Sequence, residues 1–203
     1  MKPGPRGLIP SPPTPFRRRG GWLASLAMIT FSVYAALEIG PDLIARIHVD
    51  YGAAAVARIE GWRRLMDFAR DFDDREKLKM VNDFFNKPEF VEDSRNWGQE
   101  DYWATPMEFL ARNAGDYEDF SIAKYFTLLA IGVPEERLRM TYVTALKINQ
   151  SHMVLTYYPT PRDSPLVLDN LNPEVLPATE REDLQPIYSF KEKLIYYTLT
   201  YCM

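Results

Sequence analysis

Apolar side chains between Ala53 and Phe72 recur at Val56, Ile59, Trp62, Leu65, Met66 and Ala69. Steps of three and four mark one face of a helix. A second amphipathic helix is predicted from Asp73 to Phe85 on Leu78, Met80, Val81, Phe84 and Phe85. Asn86-Lys87-Pro88 ends it, because the residue before proline is pushed out of the helical region. Residues 86–101 are polar around Trp97 and Gly98 and read as loop. Thr105-Pro106-Met107-Glu108 is a helix start: threonine caps, proline suits the first helical position and Glu108 completes a capping box. That helix runs to about Arg112 and is broken by Asn113-Ala114-Gly115. The next begins near Asp116, carries Phe120, Ile122, Ala123, Phe126, Leu129 and Ala130 toward a core, and stops at Gly132 and Pro134.

Beyond Pro134 the period changes from helical to alternating. Leu138–Leu146, His152–Tyr158 and Leu166–Asp169 are short β-prone runs bounded by turn residues, with Pro159–Asp163 as a loop between the last two. A final strand is predicted over Lys193–Tyr201. Helices first and strands afterwards give an α+β class rather than a doubly wound sheet.

The first forty residues follow none of these patterns. Residues 3–15 hold six of the sixteen prolines, too many for helix or strand. Arg17-Arg18-Arg19 follows, then Gly20–Leu37 without a charge. Basic, then apolar, then small residues (Val33, Ala35, Ala36) is the order of a bacterial secretory signal. An uncleaved anchor is the competing reading, since 18 residues sit at the lower edge of a membrane span. Either reading exports the remainder and divides the chain into a leader, residues 1–40, and a domain, residues 41–203.

Charge sharpens this division. The 203-residue chain has a formal net charge of -4, but residues 1–37 contain five basic side chains and no acid, so the remainder carries 19 basic against 28 acidic residues. A body that acidic lacks the concentrated basic surface that phosphate contacts need, and nucleic acid is excluded as a partner. The single cysteine, Cys202, excludes an internal disulfide and a multi-thiolate zinc site. His48 reads as an exposed linker residue, and the Glu60, Arg63, Arg64, Asp67, Arg70 set as a solvated helix face.

Three places carry chemistry. Gly115-Asp116-Tyr117-Glu118-Asp119 opens a helix, where free N–H groups and the dipole stabilise an anion. His152 opens a strand, and Asp169-Asn170 ends the next. A histidine base held by an aspartate, facing a helix tip, is the arrangement of nucleophilic catalysis. The acids Asp116, Glu118 and Asp119 suit a hard cation, although acids also gather at helix starts because of the dipole.

The stretches Asp101-Tyr102-Trp103-Ala104-Thr105-Pro106, Gly115–Phe120, Ala123-Lys124-Tyr125, Ser151–Leu155 and Leu166–Asn170 together resemble the bacterial transglutaminase-like cysteine peptidases of the LapG type. The resemblance spans roughly residues 50–190. It implies a papain-like transglutaminase fold, a periplasmic location, a Cys-His-Asp triad and a calcium requirement. It also implies cleavage of the N-terminal region of a large surface adhesin, which releases biofilm cells. A cyclic di-GMP-sensing inner-membrane receptor is the implied second partner. By this resemblance His152 is the base, Asp169 its orienting partner, and Asp116, Glu118 and Asp119 the calcium ligands. The nucleophile position falls on Tyr117, where the family has cysteine. A phenol, with an ordinary pKa near 10 against about 8.5 for a thiol, is the poorer nucleophile at neutral pH. The resemblance therefore implies impaired catalysis, and a non-catalytic calcium- and partner-binding protein or a decayed gene copy is the alternative. The end after Ser189-Phe190 departs from the family continuation.

Overall fold

A computed structural model describes residues 39–190. The export segment, the strand expected over Lys193–Tyr201, the atypical end and Cys202 lie outside the described residues. The elements are α1 (Pro41–Ala69), α2 (Asp74–Phe85), β1 (Glu89–Phe90), α3 (Asp93–Asn96), α4 (Pro106–Arg112), β2 (Ala114–Gly115), α5 (Tyr117–Ala130), β3 (Leu138–Ala145), β4 (Gln150–Tyr157), β5 (Leu166–Leu168), β6 (Leu176–Pro177) and β7 (Leu184–Phe190). Helices precede an antiparallel five-stranded sheet of order β6-β5-β4-β3-β7, and the α+β class expected from the sequence holds. None of the described helices is long and apolar enough to cross a membrane.

The helix expected from Ala53 begins twelve residues earlier, at Pro41, and is interrupted at Gly52, whose φ of 79° is open to glycine at little cost. His48 is exposed on this first stretch of helix rather than in a linker. After the kink, α1 buries Ala55, Ile59, Trp62, Met66 and Ala69, the face that the spacing marked. Trp62 is fully enclosed, and its indole N–H donates to Thr127 Oγ1 at 2.8 Å. Arg58, a turn earlier, donates to the Leu110 and Ala111 carbonyls at 2.6 and 2.8 Å and so closes the C-terminal end of α4. The N-terminal end of α4 has the capping box, with Thr105 Oγ1 accepting from the Glu108 N–H and Glu108 Oε2 accepting from the Thr105 N–H.

Helix α5 is the centre of the molecule. Almost every residue in it is buried, and it packs on β4 from one side and on α2 and α4 from the other. The hydroxyl of Ser121 donates to the Met153 carbonyl at 3.1 Å, which fixes the helix on β4. Residues 86–101 are not all loop. Two-residue strands β1 and β2 pair in parallel, Phe90 beside Gly115, and the Val91 N–H donates to the Gly115 carbonyl at 2.9 Å. That ladder carries α3 to the tip of α5. Strands β6 and β7 are also additions to the sequence reading, because Pro177 and Pro186 interrupt the β pattern there. Both lie at sheet edges, where a missing N–H is tolerated.

Trp62 joins α1 to α5 through both its ring and its N–H. Trp62→Ala should lower unfolding free energy by about 3–5 kcal/mol, read as a lower denaturant midpoint with an unchanged slope. A loss below about 1 kcal/mol would mean that α1 is not part of the cooperative core.

Candidate active site

Asp116 caps α5, its Oδ1 accepting from the Glu118 N–H at 3.2 Å, and Tyr117 is the first helical residue. Tyr117 is half-buried, and its ring meets the imidazole of His152 edge-to-face with centroids 5.8 Å apart. His152 lies at the start of β4, opposite Val143 of β3. Its Nε2 is 2.7 Å from Oδ1 of Asp169, which directly follows β5. With Nε2 committed to the carboxylate, Nδ1 is the ring atom left to exchange a proton with a group at position 117. The structure therefore brings Tyr117, His152 and Asp169 to one place.

Asp169 is held from several directions. Its backbone carbonyl accepts from the Asn86 side chain at 2.7 Å, at the end of α2. Its Oδ1 also accepts from the Leu171 N–H at 3.0 Å, and its Oδ2 from Arg181 Nη2 at 2.6 Å. Burial on its own would raise this carboxyl. The hydrogen bond and charge of His152, with those of Arg181, outweigh burial and hold it at about 2. Arg181 had no role in the sequence reading, because Glu180-Arg181-Glu182-Asp183 looks like any charged surface run.

The other side of the helix tip is acidic. Asp93, Asp116 and Asp119 each bring a carboxylate oxygen within 4.8 Å of the others. Asp93 accepts from the Tyr102 N–H, and Asp119 from the Ala104 N–H at 2.7 Å. Asp93 Oδ1 and Asp119 Oδ2 are buried with no hydrogen-bond donor. Gly115 leaves room for Asp119: a Cβ on Gly115 would lie 2.5 Å from Asp119 Oδ2 and 2.6 Å from the Phe109 ring. Of the three acids implied by resemblance, Asp116 and Asp119 meet in this group. Glu118 stands outside it, its Oε1 accepting from the Tyr142 hydroxyl at 3.1 Å. Asp93 was missed: it lies 23 positions before Asp116, and only the two-residue β1–β2 ladder brings it near.

Burial, with the charge of Asp116 adding to it, pushes Glu118 up to about 9 and Asp119 up to about 8. Burial also lifts Asp93 to about 6 and raises Asp116. Two buried carboxylate oxygens without donors, in a set of hard oxygen ligands, fit a calcium ion. Tyr117 feels the same surroundings. Burial and the negative charges of Glu118, Asp116, Asp101 and Asp93 push its phenol up to about 12.

A model of bacterial transglutaminase-like cysteine proteinases matches residues 60–185. The chain belongs to this family. Among solved structures, calcium-bound LapG of Legionella pneumophila is 41% identical, with a TM-score of 0.67 over 76% of this chain and 86% of that one. A second LapG structure from the same organism is 38% identical, with a TM-score of 0.65 over 81% and 84% of the two chains. An EGTA-treated form of LapG matches at 38% identity and the same TM-score. No protein with a curated description matches the chain. Within the transglutaminase-like proteinase fold, the His152–Asp169 pair and the acid cluster flank the first turn of α5, and tyrosine occupies the residue between them.

The Asp169 carboxyl titrates lower in the folded protein than its ordinary value of about 3.9. The stability it contributes is therefore present above pH 4 and lost as pH falls through about 2. Asp169→Asn should cost about 1.5–3 kcal/mol at pH 7, because it removes a buried, charge-assisted hydrogen bond and leaves the Arg181 guanidinium with Asp183 as its remaining carboxylate. Urea unfolding at pH 7 and at pH 2.5 checks this. The gap between the two proteins should narrow at the lower pH, and a gap independent of pH would contradict the assigned ion pair.

Proposed function

We propose that this chain is an exported, calcium-binding member of the transglutaminase-like cysteine proteinase family whose peptide hydrolysis is impaired at Tyr117. The reaction of the scaffold is cleavage of a peptide bond in the N-terminal region of a large surface adhesin, in the periplasm, with release of biofilm cells as the outcome. The observation that carries the reading is the edge-to-face contact of a tyrosine with the imidazole of a His–Asp pair at a helix tip.

In the family reaction a thiolate at this tip attacks the scissile carbonyl carbon. The protonated histidine gives its proton to the departing amine, and water then cleaves the thioester. Tyr117 cannot take the first step efficiently. With its phenol at about 12, only on the order of one part in 10⁵ is ionised at pH 7. Its oxygen also stands at the far end of a rigid ring, beyond where a cysteine sulfur would be.

Asp93, Asp116 and Asp119 would hold calcium, with Glu118 beside them. The calcium-bound form of the similar LapG, beside its EGTA-treated form, supports this metal. Bound there, calcium supplies positive charge beside position 117. A folded scaffold with an acid cluster and no competent nucleophile favours a second role for the same surface: occupying the adhesin or the cyclic di-GMP-sensing membrane receptor without hydrolysis.

Two measurements test these statements. The purified chain with an adhesin N-terminal fragment and calcium should give no cleavage, whereas Tyr117→Cys should restore it and a further His152→Ala should remove it. Cleavage by the unaltered chain that survives His152→Ala would overturn the mapping, as would a well-folded Tyr117→Cys variant with no activity. Calcium should raise the melting temperature of the unaltered chain. Asp119→Asn should abolish that rise, and a rise that persists would place the ion elsewhere.

A further inference from the structure

Arg181 lies outside every motif that marks the site, yet its guanidinium is almost wholly buried and reaches the triad carboxylate. Its Nη2 donates at 2.6 Å to Asp169 Oδ2, the oxygen that His152 does not use. The same Nη2 donates to Asp183 Oδ2 and the Nε donates to Asp183 Oδ1, both at 2.9 Å, a two-point fork that fixes the plane of the guanidinium. Asp183 is anchored in turn, its backbone carbonyl accepting from the Leu146 N–H at 2.8 Å at the end of β3.

We propose that Arg181 is a positioning residue of this site: Asp183 orients its guanidinium, the guanidinium fixes Asp169, and Asp169 fixes the tautomer of His152. The inference rests on the proposed triad only for its catalytic consequence, because the hydrogen-bond relay concerns groups present in the chain as it stands.

A carboxylate with one oxygen on an imidazole can rotate about its last bond. Turned out of the imidazole plane, the carboxylate aligns poorly with Nε2, weakens that hydrogen bond and lets the proton move to Nδ1. Arg181 removes that freedom by holding the second oxygen. An Nε2–H tautomer then points Nδ1 at position 117 as the proton acceptor. The geometry also calls for arginine specifically. A lysine ammonium can meet Asp169 but has no planar fork to share with Asp183. Lys124 of α5 is also buried within reach of the Asp169 charge, but burial pulls its ammonium down to about 7, against which Asp169 acts only in part. It is a point charge with no fork, and it does not replace the guanidinium in fixing the carboxylate plane.

The test is the nitrogen NMR spectrum of His152 in the full chain, which distinguishes Nε2–H from Nδ1–H imidazole. The unaltered protein should show the Nε2–H form, and Asp169→Ala, which removes the acceptor, supplies the spectrum of a released ring. Arg181→Gln should shift His152 toward mixed tautomers. Arg181→Lys should give a smaller shift, and so should Asp183→Asn, which changes a partly exposed side chain and is expected to fold. Should Arg181→Gln fail to fold, the last two variants decide. A folded variant set that keeps the native tautomer overturns the proposal. In the Tyr117→Cys background the same changes should lower kcat on the order of 10-fold with KM unchanged, and a change in KM alone would also contradict a positioning role. If Tyr117→Cys is inactive while the tautomer still follows Arg181, the relay stands and the hydrolase reading falls.

Discussion

A helix that is apolar around most of its circumference has to be enclosed, and in this protein that requirement organises everything else. Helix α5 gains its stability only when β4 covers one side and α2 and α4 the other. Enclosure places its first turn inside the protein, where the free N–H groups of a helix start are least screened by water. The chemistry gathered there, His152 on β4, Asp169 after β5 and the acids on the helix itself, follows from the seating of one helix.

The enclosed tip is divided electrically. On one side lie Asp93, Asp116, Glu118 and Asp119, whose burial without enough donors makes their charged forms costly. On the other, Arg181 and the His152 hydrogen bond keep Asp169 ionised in an equally dry setting. Buried carboxylates thus behave in opposite ways on the two sides of one helix tip, and what separates them is whether a cation stands within hydrogen-bond reach. Tyr117 lies on the boundary and takes the character of the acidic side.

Much of this was legible in the chain. The face of α1 after Gly52, the capping box at Thr105, the start of α5 at Asp116 and the runs that become β3, β4 and β5 all follow local rules of period, cap and turn. What the sequence concealed depends on distance along the chain. Asp93 reaches the acid group through a two-residue parallel ladder, too short to leave a periodic signal. Arg181 reads as solvated until the fold shows it folded inward onto Asp169. Strand β7 was obscured by Pro186, which an edge position accepts. Local pattern fixes elements well, while pairings between segments far apart in sequence depend on tertiary packing.

Positions 115 and 117 differ in what guards them. Any side chain at Gly115 collides with Asp119 and Phe109, so a change there is a defect of folding that cellular quality control can detect. Tyr117 is half-buried at the edge of the tip, its ring packed edge-to-face on His152. The fold therefore polices the frame of the helix tip far more strictly than the side chain that crowns it.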